Sequence, residues 1–141
     1  MKKIILLLMV VISILPQVIG QVSLMITIPN VSNDQGLIQI GLFNEKEHFP
    51  KEGKEFLIVI RKAESPVFVH TIEGLQPGDY AIALMHDENA DGVCNLNFFG
   101  IPKEGYGFSN NVKPRLSSPS FESARISLTV DQEIIINLIY P

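Results

Sequence analysis

The chain is expected to fold as an all-β, seven-stranded antiparallel β-sandwich with one long ordered loop. Three observations carry that expectation: hydrophobic residues recur with a period of two, turn-forming residues separate the runs, and no stretch beyond the N-terminus repeats at a helical period. Side chains on a strand point alternately to opposite faces, so each alternating run gives one strand with one buried face.

In chain order, Val22, Leu24, Ile26 and Ile28 form the first alternating set, and Asn- and Asp-rich residues from Pro29 to Gly36 mark a turn. Ile38, Ile40 and Leu42 form the second set. A charged stretch from Asn44 to Glu55 follows, in which a helical turn around Phe49 is expected. Phe56, Ile58 and Ile60, opposite Leu57 and Val59, form the third, and the β-branched and aromatic run from Val67 to Ile72 the fourth. Gln76-Pro77-Gly78 makes a turn, with Pro fixing φ and Gly supplying a positive φ. Tyr80, Ile82 and Leu84 alternate with Ala81, Ala83 and Met85 in the fifth strand. The sixth runs from Ala124 to Val130 and the seventh from Ile134 to Tyr140, with Asp131-Gln132 reading as a tight hairpin between them. Seven short strands in one domain's length favour two packed sheets.

The N-terminus has the layout of a secretory signal peptide. Met1-Lys2-Lys3 is basic, Ile4 to Leu15 is apolar apart from Ser13, and Val18-Ile19-Gly20 places compact residues at a cleavage position. The apolar run is about 12 residues, short of the roughly 20 that span a bilayer. The division expected is a leader over residues 1–20 and one β-sandwich domain over 21–141, exported to the periplasm or beyond with no membrane span in the mature protein. Cys94 is the only cysteine, so neither a lipid-anchor cysteine after the leader nor an internal disulfide is expected. With Lys2 and Lys3 in the leader, the mature domain has a net charge of about −6 and no basic stripe, which argues against nucleic-acid partners.

The segment from Asp87 to Pro119 has no strand or helix period and is the part most informative about function. Structureless connections of this length in a compact domain are functional or disordered. Phe98, Phe99, Tyr106 and Phe108 are four of the chain's eleven aromatic residues, a composition that argues for order, with the rings pinned inward or lining a groove. The segment opens Asp87-Glu88-Asn89-Ala90-Asp91-Gly92-Val93-Cys94-Asn95. The D-x-N-x-D-G spacing lets oxygens at alternate positions converge on a hard cation such as Ca²⁺ while the Gly makes the sharp turn. Asp87, Asn89, Asp91, the Val93 carbonyl and Asn95 are the candidate metal ligands. A helix–loop–helix calcium site closes with a Glu where this chain has Phe98, so Glu104 or Glu88 would have to be brought round by the fold. The alternative is an Asx-rich turn that caps its own backbone.

His86, Glu104, Tyr106, Phe108, Ser109, Asn110 and Asn111 are the candidate ligand- or partner-binding residues, their aromatic and amide chemistry suiting a glycan, a peptide, an envelope protein or a small ligand. For Tyr106 and Phe108 the alternative is plain packing under the loop. Three functions follow. The first is an exported, non-catalytic binding or structural module of the cell envelope, calcium-stabilised through this loop. The second is a small-ligand carrier with an apolar pocket beneath Phe98 and Phe99. The third is a hydrolase with His86, Asp87 and Glu104 as an acid–base set and Ser109 as nucleophile, which requires His86, Glu104 and Ser109 to converge. No nucleophile elbow, zinc motif or phosphate loop is present, so no catalytic residue is assigned.

The stretch from His86 to Asn111, with Gly74-Leu75-Gln76-Pro77-Gly78-Asp79-Tyr80-Ala81 before it and Pro119-Ser120-Phe121 after, resembles the signature of a bacterial exported family known as domain of unknown function 2141. The resemblance implies a leader, a small β domain and no established activity. Family members usually read Asn-Gly-Asn-Gly-Lys-Leu-Asp-Thr-Asn after the first Asp-Glu. Here Cys94 departs from that pattern, and Asn95 stands where a carboxylate is usual, which lowers the charge of any calcium site. The Leu-x-Pro-Gly-x-Tyr element is similar to that of transthyretin-like and carboxypeptidase regulatory-like sandwiches. An immunoglobulin-like likeness extends to architecture only, because the chain lacks Trp and a second Cys.

Overall fold

The computed structural model describes residues 20–141, so the expected leader lies outside the described residues apart from Gly20. The order is β1 (Val22–Ile28), β2 (Leu37–Phe43), β3 (Leu57–Lys62), β4 (Phe68–Leu75), β5 (Gly78–Asp87), β6 (Gly105–Phe108), a 3₁₀ turn (Ser109–Asn111), the one-turn helix α1 (Phe121–Ala124), β7 (Ile126–Leu128) and β8 (Gln132–Ile135). One sheet has the order β4-β1-β8 and the other β3-β2-β5-β6, with β7 added beside β5. The all-β sandwich is as expected, with eight strands where seven were read. No helix among the described residues is long and apolar enough to cross a membrane.

The alternation read from sequence decides the core. Leu24, Ile26 and Ile28 of β1 meet Ile38, Ile40 and Leu42 of β2 and Tyr80, Ile82 and Leu84 of β5 between the sheets. On β3 it is Val59 that turns inward, leaving Ile58 and Ile60 on the outer face. β2 and β5 are covered on both faces along part of their length, because Phe43, Phe49, Ala81, Phe121 and Ala124 form a second small core outside the sheet. Phe49 is its hub, edge-on to Phe43, Phe108 and Phe121 at centroid distances of 5.3, 6.0 and 6.1 Å. That ring anchors the charged 44–55 stretch, which makes a series of turns rather than the helical turn expected there.

Two connections differ from the sequence reading. β7 and β8 do not form a hairpin: β7 pairs antiparallel with the start of β5, and β8 crosses to the other sheet and pairs parallel with β1. Asp131 fixes the crossing by accepting the Ser23 backbone N–H at 2.8 Å. Beyond β8 the chain returns, with Ile136 N–H donating to the Thr27 carbonyl and Ile139 exchanging hydrogen bonds with Tyr106 of β6. Asn30 ties this last segment down by donating to the Leu138 carbonyl and accepting its N–H, so its amide is occupied.

Candidate functional site

β5 changes partner along its length. Gly78 to Tyr80 pair with β7, and Ala83 to His86 pair with β6. Ser109 fills the gap between the two partners: it is fully buried, accepts the Ile82 N–H at 2.9 Å and donates to the Ala124 carbonyl. The hydroxyl therefore replaces a missing ladder partner. Asn110 and Asn111 sit at φ 59° and 52°, in the left-handed region that Asn tolerates. Their amides reach back into the fold, Asn110 donating to the carbonyls of Ser123 and Arg125 and Asn111 to that of Ile135. All three side chains hold the chain together; Ser109 is buried away from any partner, while Asn110 and Asn111 remain exposed.

His86 is fully buried at the inner end of β5, with Nδ1 2.9 Å from the Tyr140 hydroxyl and Nε2 2.8 Å from the Gln35 carbonyl. The Gln35 carbonyl only accepts, so Nε2 carries the proton and Nδ1 accepts from Tyr140. The Tyr140 oxygen in turn accepts the Ser32 N–H at 3.0 Å. The acid–base set considered for a hydrolase is thus not assembled: Ser109, His86 and Glu104 each bond to other groups, and none bonds to another of the three.

The Asp87 loop is built on one buried carboxylate. Asp87 has no exposed surface; its Oδ1 accepts the Asp91 N–H at 3.2 Å, and its Oδ2 accepts the Gly92 N–H at 2.8 Å and the Gln39 side-chain amide at 3.0 Å. Asn89 Oδ1 also accepts the Asp91 N–H, and Asp91 Oδ1 accepts that of Val93. Asp91 Oδ2 takes the amides of Asn89 and Asn95. Those donors, Asn95 first, then Val93, with Asn89 a smaller contributor, hold the Asp91 carboxyl below the usual aspartate value. The expected convergence of oxygens is therefore a set of nested Asx turns. Among the described residues no three His, Cys, Asp or Glu side chains stand together as a metal-holding group. Glu104 does come round, its Oε1 accepting the Glu88 N–H at 3.1 Å.

Beyond Asn95 the loop forms a small hairpin, with Leu96 bridged to Pro102 and Asn97 Oδ1 accepting the N–H groups of Phe99 and Ile101. Phe98 and Phe99 occupy its tip, 97% and 82% exposed, edge-on to one another. Neither is pinned inward, because a hairpin tip projects away from the sheet, but Phe99 takes the other place expected for these rings and lines a groove. Tyr106 and Phe108, half-buried on β6, do line a groove.

That groove has a volume of about 890 Å³ and is open to solvent. Its floor is the outer face of the larger sheet: Ile58, Ile60, Met85, Tyr106 and Phe108. One wall is the 50–55 turn with Glu52 and Glu55, the other the loop with Cys94, Phe99 and Ile101, and Arg115 and Leu116 sit at the rim. Burial raises the Cys94 thiol pKa, with the charges of Glu52 and Glu104 adding. Ile58 and Ile60 were visible in the sequence as strand residues, but nothing in their alternation said that both would face out.

Two packed sheets, with a loop-walled groove on the outer face of the larger one, make the protein a small β-sandwich. The chain belongs to the family named domain of unknown function 2141, described as an uncharacterized protein conserved in bacteria, whose family model matches residues 26–136. No curated protein and no solved structure matches it.

Proposed function

We propose that the protein is an exported, non-catalytic binding module of the cell envelope, and that its groove holds an extended apolar segment of a partner protein. The observation that supports this reading is the outer face of the larger sheet. In a plain sandwich that face is polar, yet here Ile58 and Ile60 remain 48% and 44% exposed on the floor of a groove walled on both sides. One wall carries Glu52 and Glu55 and the rim Arg115, while the floor and the loop wall are apolar, an arrangement suited to a chain laid along the sheet with its ends in water. β3 is also the edge of its sheet, so its free backbone groups lie beside the same groove. Export is supported by the basic and apolar order of the first residues.

The second reading, a small-ligand carrier, is favoured by the groove's volume, which falls within the range of small-molecule sites. Its open side favours the first, since carriers enclose most of their ligand. The experiment is binding of an apolar dye, 8-anilinonaphthalene-1-sulfonate, to the folded domain in chelator, followed by displacement with apolar peptides or with free fatty acids. Ile60→Glu should cut dye affinity at least tenfold while Val69→Glu, on the other sheet, leaves it unchanged. Displacement by peptides alone supports the first reading and by fatty acids alone the second. Equal dye binding by both variants removes the groove as a site.

A further inference from the structure

Among the described residues, one buried side-chain oxygen has no explanation in the fold. Glu104 is 9% exposed, and its Oε2 is buried without a hydrogen-bond partner among the described residues, whereas Oε1 accepts the Glu88 N–H. The pairing of His86 with Gly105 sets Glu104, one residue further on, alongside Asp87 on the neighbouring strand. Asp87 is itself fully buried. Glu104 also sits between the two ends of the loop: its Oε1 holds the Glu88 N–H, and the N–H of the preceding Lys103 donates to the Asn95 carbonyl at 2.8 Å.

Two buried carboxylates at adjacent positions repel, and a buried charged oxygen with no donor is among the costliest arrangements a fold can hold. Three N–H groups compensate Asp87. None compensates Glu104 Oε2. A cation beside Glu104 Oε2, shared with Asp87, would satisfy that oxygen and offset the repulsion. The oxygens on offer are hard ones, two carboxylates with water completing the shell; the Val93 carbonyl already accepts the Asn95 side-chain amide. Calcium takes six to eight oxygens in flexible geometry and fits that set better than magnesium, which demands a near-ideal octahedron. Glu104 thus takes the part that the sequence spacing left to Phe98. The side chains of Asn89 and Asp91, engaged with the loop's own N–H groups, shape the turn instead of ligating.

We propose that Glu104 and Asp87 together hold a calcium ion that locks the 87–104 loop, and with it one wall of the groove, to the end of β5. The inference does not depend on what the groove binds. It is tested on the folded mature domain by thermal unfolding in excess CaCl₂ and in chelator, with MgCl₂ as a control. Calcium at a hundredfold excess over Kd should raise the midpoint by roughly 10 °C. Glu104→Gln keeps an oxygen for the Glu88 N–H but removes the charge, so it should abolish the calcium shift and unfold in chelator no lower than the unsubstituted protein. Identical midpoints with and without calcium, or a calcium shift that survives in Glu104→Gln, would overturn the assignment. Calorimetric titration of calcium into the unsubstituted domain at 25 °C reads the same question without unfolding: heat that saturates at one ion per chain supports it, and no heat overturns it. Because the dye experiment is run in chelator, a negative result here leaves the groove reading standing, and the reverse holds.

Discussion

The side-chain amide of Gln39 on β2 donates to the carboxylate of Asp87 at the end of β5, 3.0 Å away, on the outer face of the larger sheet. That bond joins the floor of the groove to the first residue of its wall. Asp87→Asn puts an amide donor where an oxygen accepts from Gly92 or Gln39, so one buried donor loses its partner. The expected loss is about 2–3 kcal/mol, measured by urea unfolding in chelator. Gln39→Leu removes only one of three donors and should cost less. An Asp87→Asn protein as stable as its parent would show that the loop is held some other way.

Tyr140 fits against the backbone of Gly105, where a Cβ would come 2.4 Å from its ring, and Gly107 also lacks room, a Cβ there lying 2.8 Å from the Asn137 carbonyl. Gly107→Ala must move backbone and is expected to destabilise by about 2 kcal/mol or more. Tyr140→Phe keeps the ring but leaves His86 Nδ1 and the Ser32 N–H unpaired, for a cost of about 1–3 kcal/mol. Differential scanning calorimetry of both variants checks these values.

Ser109→Ala should act through stability alone. It strips the Ile82 N–H and the Ala124 carbonyl of their buried partner, an expected loss of about 2 kcal/mol. Ser109→Thr would test the available space. Unchanged stability of Ser109→Ala would reopen a reactive role for the hydroxyl.

Asp91 gives the loop a defined acid response. Its folded pKa is lowered by the donors of Asn95, Val93 and Asn89, so the stability it lends is present in full above the unfolded aspartate value of about 3.9. That contribution is lost as the pH falls through the lowered folded value. Nuclear magnetic resonance of the Val93 amide should therefore titrate with a midpoint below the ordinary aspartate range. Asp91→Asn should erase that step. A midpoint at or above the ordinary value contradicts the hydrogen-bonding seen here.

Cys94 lines the groove with its thiol pKa raised, so little thiolate exists near neutral pH. Its reaction with an aromatic disulfide reagent at pH 7.5 is expected to run about tenfold slower than that of free cysteine. Filling the groove with the apolar dye should slow it further. A rate equal to that of free cysteine would place the thiol in open solvent.

The strands with residues such as Leu24, Ile40 and Ile82 were legible because their alternation is physical cause as well as signal. β6 was not. Its inward positions are Gly105 and Gly107, emptied of side chains so that Tyr140 and the Asn137 backbone can approach, and a strand with glycine on its buried face shows no hydrophobic period. The β7–β8 hairpin failed for a different reason. Asp131-Gln132 suits a tight turn and a crossing equally, and the choice of β1 over β7 as partner for β8 depends on residues about a hundred positions away. At the site, the spacing of Asp87, Asn89 and Asp91 announced a turn, but Glu104 entered through strand pairing, which no local pattern encodes.

The parallel seam between β1 and β8 has a consequence for assembly. A chain emerging from a ribosome with its N-terminus first presents β1 and β4 as a two-stranded ribbon, and such ribbons are marginal in water. The strip that completes that sheet, and then laces it to the opposite one through Ile139, arrives about a hundred residues later. Native structure is therefore withheld until nearly the whole polypeptide is free.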